Sequence, residues 1–391
     1  MTLLRIGRAM LLFAVVLSGV ASFGDEQNYG ELQNPEYPGV MLFSIPYGSQ
    51  PGQVGFRKLE HSEAAGPSHV KVDRHGNVWL LSGSQVKAFR RDGTLLRVAG
   101  RVTRSDTDQA EDARSPLEHL RFIRKYAIDG RGYVYFTGDR PLTHLFVINE
   151  SNEVVLSDRD VYGNLVQVRG EEKMLWQLQR QFGHEIAKAC IGGLTGPLFM
   201  GTDEADHLYL LADAPVQDKE RSGTEMCFYE FTPDLEFVGT VPGYYMGPDG
   251  YTYEFAAGNT AENVRLHTYD REGNRVRTTR LIRPEGPWPG CSRPVFDWSH
   301  NIYLPCSSKR DQPVAVVPGV QIRSDYNVYK YNPDGELLAK FKIPNPPVHR
   351  GAASPIAVDE DENLYYLNFG ASELQVMIVE TKKYPTSTTT P

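Results

Sequence analysis

The sequence predicts an all-β chain of six four-stranded antiparallel blades closed into a ring, a six-bladed β-propeller. Three observations carry that prediction. One hairpin signature recurs six times, a second hairpin follows the first five of them, and an orphan strand lies ahead of the first. Units of about 40–50 residues holding four strands each are the mark of propeller blades.

The six segments read "VDRHGNVWLL" from Val72, "IDGRGYVYFT" from Ile128, "TDEADHLYLL" from Thr202, "MGPDGYTYEF" from Met246, "FDWSHNIYLP" from Phe296 and "VDEDENLYYL" from Val358. Each is an apolar strand ending in Asp, a tight turn, then an apolar–aromatic strand. Gly, Asp and Asn in the turns supply left-handed backbone and local hydrogen bonds. The aligned aromatics Trp79, Tyr135, Tyr209, Tyr253, Tyr303 and Tyr365 are expected to pack between blades. Two departures stand out: Gly247 replaces the Asp of the fourth unit, and the third lacks the turn glycine. The second hairpins, such as "VKAFRRDGTLLRV" and "VYKYNPDGELLAKFKI", place Asp-Gly or Glu-Gly between two further strands.

The sixth unit has no fourth strand, because "LQVMIVET" runs into "KKYPTSTTTP". The orphan strand in "GVMLFSIPYG" echoes the "KFKIP" that closes the fifth unit. It is expected to complete the last blade, which leaves the ring only short, protected edges.

The resulting division is a propeller domain over 25–383. Its blades lie at about 66–100, 121–157, 192–241, 242–284, 291–344, and 352–382 plus the strand at 39–47. Between the second and third blades, 158–191 is an insertion. There "EEKMLWQLQRQFGHEIAKAC" puts Leu175, Leu178, Phe182, Ile186 and Ala189 at helical spacing. A helix packed on the ring is the first reading, and a degenerate seventh blade is the alternative. The Thr/Pro tail at 384–391 is expected to be disordered.

Residues 1–24 have the layout of a secretory signal peptide. Arg5 and Arg8 precede an apolar run over 9–20 that is short for a bilayer span, and small residues follow. Removing them takes the formal charge from −8 to −10. So acidic a chain is a poor candidate for nucleic acid or an anionic membrane surface, and no later stretch is apolar enough to span a bilayer. A secreted or periplasmic protein is expected. Its four cysteines form no CxxC pair, which argues against structural zinc. Export permits disulfides. Cys291 and Cys306 flank the hairpin "CSRPVFDWSHNIYLPC" and would face each other across it, while Cys190 with Cys227 pairs by elimination.

The units resemble NHL-type and related six-bladed propeller repeats, with their hydrophobic–Asp–x–x–Gly–Asn–hydrophobic–Tyr pattern. "IPYGSQPGQVGF" leading into "GPSHVKVD" also resembles the lead-in of exported bacterial propellers. The architecture is related to gluconolactonase and TolB-like propellers. The resemblance spans nearly the whole mature chain, and it implies a fold rather than an activity.

Propeller geometry selects a face. Turns between strands one and two, and between three and four, are short and share one side of the disc. The insertions 101–119, 158–190, 214–224, 256–263, 307–325 and 345–352 fall on the other, where a binding surface is expected. The channel mouth on that face is set by the positions four and five before each recurring Asp. They include His69, Arg124, Lys125 and Arg293, a basic set suited to a carboxylate or acidic sugar.

Resemblance to gluconolactonase-type enzymes would imply a divalent metal held on Glu, Asn and Asp at this mouth, yet none of the twelve mouth positions is one of these. Related peptide-amidating lyases hold zinc on three histidines, and only His69 lies at that depth. No G-x-S-x-G elbow occurs. No cofactor is therefore expected, with calcium or zinc in the channel possible but unsupported. The leading reading is a non-catalytic binding module for a protein, peptide or carbohydrate partner. A metal-dependent hydrolase, lactonase or lyase is the alternative.

Overall fold

A computed structural model describes residues 39–55, 57–58, 64–67, 69–100, 123–138, 145–151, 154–156, 199–215, 224–234, 237–256, 264–281, 291, 293–317, 320–343, 356–370 and 372–383. A strand β1 (Val40–Pro46) and a small hairpin, β2 (Arg57–Lys58) with β3 (Ala64–Ala65), come first. Blade 1 is β4 (Val70–Val72), β5 (Val78–Ser82), β6 (Gln85–Phe89) and β7 (Leu95–Gly100). Blade 2 is β8 (Ile123–Ile128), β9 (Val134–Gly138), β10 (Leu145–Ile148) and β11 (Val154–Leu156). Blade 3 is β12 (Phe199–Thr202), β13 (Leu208–Pro215), β14 (Thr224–Phe231) and β15 (Phe237–Pro242).

Blade 4 is β16 (Tyr245–Met246), β17 (Thr252–Phe255), β18 (Val264–Tyr269) and β19 (Arg275–Leu281). Blade 5 is β20 (Val295–Phe296), β21 (Ile302–Val317), β22 (Val320–Tyr331) and β23 (Leu337–Ile343). Blade 6 takes β24 (Ile356–Val358), β25 (Leu364–Phe369) and β26 (Glu373–Val379) from the end of the chain and β1 from its beginning. Every blade is antiparallel and four-stranded.

The innermost strands close the circle. β24 lies against β4, and β8 lies directly against β12, so no blade intervenes between the second and third. This removes the seven-blade alternative. The expected helix at 158–191 lies outside the described residues.

Closure through the N-terminal strand is observed. Phe43, Ser44 and Ile45 pair with Val376, Gln375 and Leu374. The period of two sends Phe43 and Ile45 inward, 7% and 1% exposed, into a cluster with Phe89, Leu374 and Val376 between blades 6 and 1. Burying side chains of this size stabilises by about 1.5–3 kcal/mol each. Gly93, at φ 84°, turns the last hairpin of blade 1 beneath this strand, and a Cβ there would stand 2.9 Å from that of Phe43. Similar apolar clusters fill the seams between blades 1 and 2, 3 and 4, 4 and 5, and 5 and 6.

One expectation is corrected here. The stretch 307–325, read as a loop, is largely strand: β21 and β22 continue as a paired arm out to Val317 and Val320. The cross-strand disulfide Cys291–Cys306 is present, with Cα atoms 3.9 Å apart. Cys227 is buried in β14, and Cys190 lies outside the described residues.

The recurring Asp residues cap their hairpins. Asp297 Oδ1 accepts the backbone N–H of Ser299 and Asn301 at 2.9 and 2.8 Å, and its Oδ2 accepts Asn301 Nδ2 at 2.8 Å and Tyr303 Oη at 3.1 Å. Asp73, Asp129, Asp203 and Asp359 repeat the arrangement. The aligned aromatics thus do more than pack. Trp79 Nε1 donates to Asp73, and Tyr135, Tyr209 and Tyr365 donate to the Asp of their own hairpins, at 2.8–3.1 Å. Each buried polar tip thereby has a partner, as burial of a hydroxyl requires.

Candidate functional site

The strands nearest the axis leave a cavity of about 230 Å³ along the channel. His69 and Lys71 of blade 1, Lys125 and Tyr126 of blade 2, Met200 of blade 3, Tyr245 of blade 4 and Arg293 of blade 5 line it. The sequence-predicted residues His69, Lys125 and Arg293 therefore converge on one space. Arg124 has its backbone in β8, and its side chain lies outside the described residues.

Lys71 is the residue that the sequence reading passed over. It sits two positions before Asp73 on β4, and its Nζ donates to the Met200 carbonyl of blade 3 at 3.2 Å. It also lies 5.3 Å from the centroid of the Tyr126 ring. Burial, and next the Lys125 charge, push its amine down to about 8 from an ordinary 10.5. Arg293 is likewise pushed below the usual guanidinium range by burial, although the Tyr245 phenol partly opposes this. Tyr126 and Tyr245 are pushed upward by burial and stay neutral phenols. Tyr126 Oη donates to the Trp79 carbonyl at 2.9 Å, which fixes its ring beside His69.

The opposite end of the channel has the opposite character. A second cavity of about 210 Å³ is lined by Asp73, Asp129, Asp203, Glu204, Asp359 and Glu360, with Arg74 among them. Val72, Asp73, Ile128, Thr202 and Val358 line both cavities, so the two adjoin. The channel runs from a basic end, where the innermost strands begin, to an acidic end at the capped turns. Most of the acidic set serves as turn caps with its oxygens already engaged, as described for Asp297 and its counterparts.

The basic end does not fit a divalent cation. Such ions need several oxygen or imidazole ligands, and the cavity offers two lysines and an arginine against one carboxylate, Asp73, and one imidazole, His69. Among the described residues, Asp203, His207 and Glu230 bring ligand-type atoms within 4.8 Å of one another. They belong to blade 3, where His207 Nδ1 and Glu230 Oε1 are hydrogen-bonded at 2.5 Å, and Asp203 is held by Tyr209 and two backbone N–H groups. That is a hairpin cap elaborated by a buried carboxylate.

The set that sequence counting stopped short of has a legible signal. The residues two before each recurring position are Lys71, Ala127, Gly201, Tyr245, Val295 and Ala357. A lysine among small and apolar residues at the channel wall is the outlier.

No protein-family model matches the sequence, and no curated protein matches it. Solved structures give remote likenesses. A gluconolactonase from Xanthomonas campestris has a TM-score of 0.40 at 12% identity, over 88% of this chain and 99% of its own. Regucalcin, a calcium-binding protein from Agrobacterium tumefaciens, has a TM-score of 0.40 at 11% identity, over 88% and 94%. Hydrazine synthase from Kuenenia stuttgartiensis has a TM-score of 0.40 at 11% identity, over 81% and 80%. The all-β, six-bladed propeller itself rests on the sheet pairing described above.

Proposed function

We propose that the protein is a propeller binding module that holds a carboxylate-bearing ligand, of acidic-sugar size or smaller, at the basic end of its channel. Residues 1–24 would direct it to a secreted or periplasmic location. The observation that carries the reading is the convergence of Lys71, Lys125, Arg293 and His69 on one cavity in a chain of net charge −8. Charge on a partly desolvated wall attracts anions far more strongly than the same charge on an open surface. An arginine supplies the planar fork that matches a carboxylate. The Cys291–Cys306 disulfide supports an oxidising compartment, and among the described residues no helix is long and apolar enough to cross a membrane.

Calorimetry with lactate, gluconate and glucuronate, against neutral glucose, tests the reading. The wild-type protein is expected to bind one or more of the acids and not glucose. Arg293→Ala and Lys125→Ala should each weaken binding tenfold or more. Anions that do not bind, or variants that bind them equally well, would overturn it.

A further inference from the structure

We propose that Lys71 is a nucleophilic amine that captures the carbonyl carbon of a small keto acid as a Schiff base inside the channel. The inference rests on the carboxylate-binding reading above and deepens it by naming the ligand class.

The geometry is that of an amine placed for chemistry. Lys71 reaches into a cavity of about 230 Å³, a size for a ligand smaller than drug-like molecules. Its Nζ donates to the Met200 carbonyl at 3.2 Å, which fixes the amine by one N–H. A neutral amine held that way keeps its lone pair for attack. The groups around it are His69 and Asp73 at the two ends of β4, Lys125 and Tyr126 on β8, Tyr245 on β16 and Arg293 just ahead of β20. Cations outnumber the single carboxylate, so the surroundings disfavour a proton on the amine. Burial acts in the same direction, and the amine titrates near 8. Desolvation together with a neighbouring cation is the established way to make a lysine nucleophilic near neutrality.

The surroundings also sort ligands. Arg293 and Lys125 line the same cavity and would hold a carboxylate, while Tyr245 is a neutral phenol that can pass a proton. The step balances without an oxidant or reductant. The nitrogen lone pair forms a C–N bond as the carbonyl π pair moves to oxygen. That oxygen takes up a proton and the nitrogen loses one, giving a carbinolamine, and loss of water leaves C=N.

The test is reductive trapping. The intact protein is incubated with pyruvate and cyanoborohydride at pH 7, and lysine modification is mapped by peptide mass spectrometry. Lys71 should be labelled at least tenfold faster than the exposed Lys382. Methyl pyruvate, which keeps the carbonyl and loses the charge, should label Lys71 at least tenfold more slowly than pyruvate. Labelling should rise with pH to a midpoint near 8, and Lys71→Arg should abolish it while the circular dichroism spectrum is unchanged. Lys71 labelled no faster than Lys382 would overturn the inference. If lactate still binds in that case, the carboxylate reading survives alone. Fast labelling by pyruvate and methyl pyruvate alike would uphold the nucleophile and remove the keto-acid selectivity.

Discussion

Tyr253 Oη lies 3.0 Å from His300 Nδ1, across the seam between blades 4 and 5. In blades 2, 3, 5 and 6 the equivalent tyrosine donates to the Asp of its own hairpin. Blade 4 has Gly247 there, and the imidazole of the next blade takes the vacated role. His300 Nε2 stands 3.4 Å from Asp249, which places the ring between the two blades. His300→Ala should cost about 1–3 kcal/mol, the cost of leaving a buried hydroxyl unsatisfied. Adding Tyr253→Phe to it should cost little more, as chemical denaturation of the four-member cycle would show. Gly247→Asp, which restores the repeat pattern, should destabilise, because it sets a second carboxylate against Asp249, whose Oδ1 would stand 2.9 Å from the new Cβ.

His300 belongs to a set of three. Asp206, His300 and Glu362 occupy the left-handed turn position, at φ 63°, 60° and 64°, that Gly76, Gly132 and Gly250 fill in the other blades. A non-glycine residue there costs about 1–2 kcal/mol, and each of the three reaches back to the preceding blade. Asp206 accepts the Gly130 N–H, and Glu362 accepts Lys330 Nζ at 3.0 Å and Ser299 Oγ at 2.9 Å. Local strain is thus exchanged for ties between blades.

The Lys330–Glu362 pair gives a pH-dependent prediction. Burial opposes ionisation of Glu362, but the hydrogen bond and charge of Lys330 outweigh it, and the carboxyl is held below its ordinary range. A depressed carboxyl contributes stability that is present above its unfolded value of 4.5 and lost as pH falls through the folded one. Thermal melts of the wild type should fall as pH drops below about 4.5, and those of Glu362→Gln should fall less steeply. At pH 7, Lys330→Met should cost about 1–2 kcal/mol because it leaves the half-buried Glu362 carboxylate without its charged partner, and the Lys330→Met/Glu362→Met double variant should cost less.

Lys71 acts in the same direction in a higher pH window. Its folded value near 8 lies below the unfolded 10.5, so the folded state binds fewer protons between those limits. Stability should therefore rise with pH from about 8 towards 10. Above 10 the tyrosines oppose it, because burial raises Tyr209 and Tyr303 and the unfolded chain then loses its protons first. Lys71→Met should reduce the rise to the part that Lys87, also depressed by burial, contributes, and be at least as stable as the wild type at pH 7, in melts taken every half pH unit.

The Cys291–Cys306 bridge closes a span of 15 residues and has one exposed member, Cys291. Loop-closure entropy for that span is worth about 3 kcal/mol. Cys291→Ser combined with Cys306→Ala should lose about that much in denaturant titrations, and dithiothreitol should bring the wild type close to the variant.

The ring was legible because six turns repeat with an Asp at one end and an aromatic at the other, and because the unpaired strand at 39–47 matched a blade one strand short. The arm of β21 and β22 was not legible, since "SSKRDQPV" interrupts the period of two with charges and a proline. The basic wall was legible in part. His69, Lys125 and Arg293 could be counted back from the Asp, but Lys71 lies closer to it on a strand of three residues, where alternation says nothing about which side chains face the axis. The tyrosine hydroxyls were missed for another reason: an aromatic at a core position signals packing, and its polar tip finds a partner only once the turn has folded.

Backbone amide exchange along β1 tests the closed ring most directly. The β1 amides that face β26 should be protected to the same degree as the β26 amides that face β1, and Ile45→Asp should release both sets together. Exchange of those β1 amides at the rate of open chain, with β24–β26 still protected, would mean that the first strand does not complete the last blade.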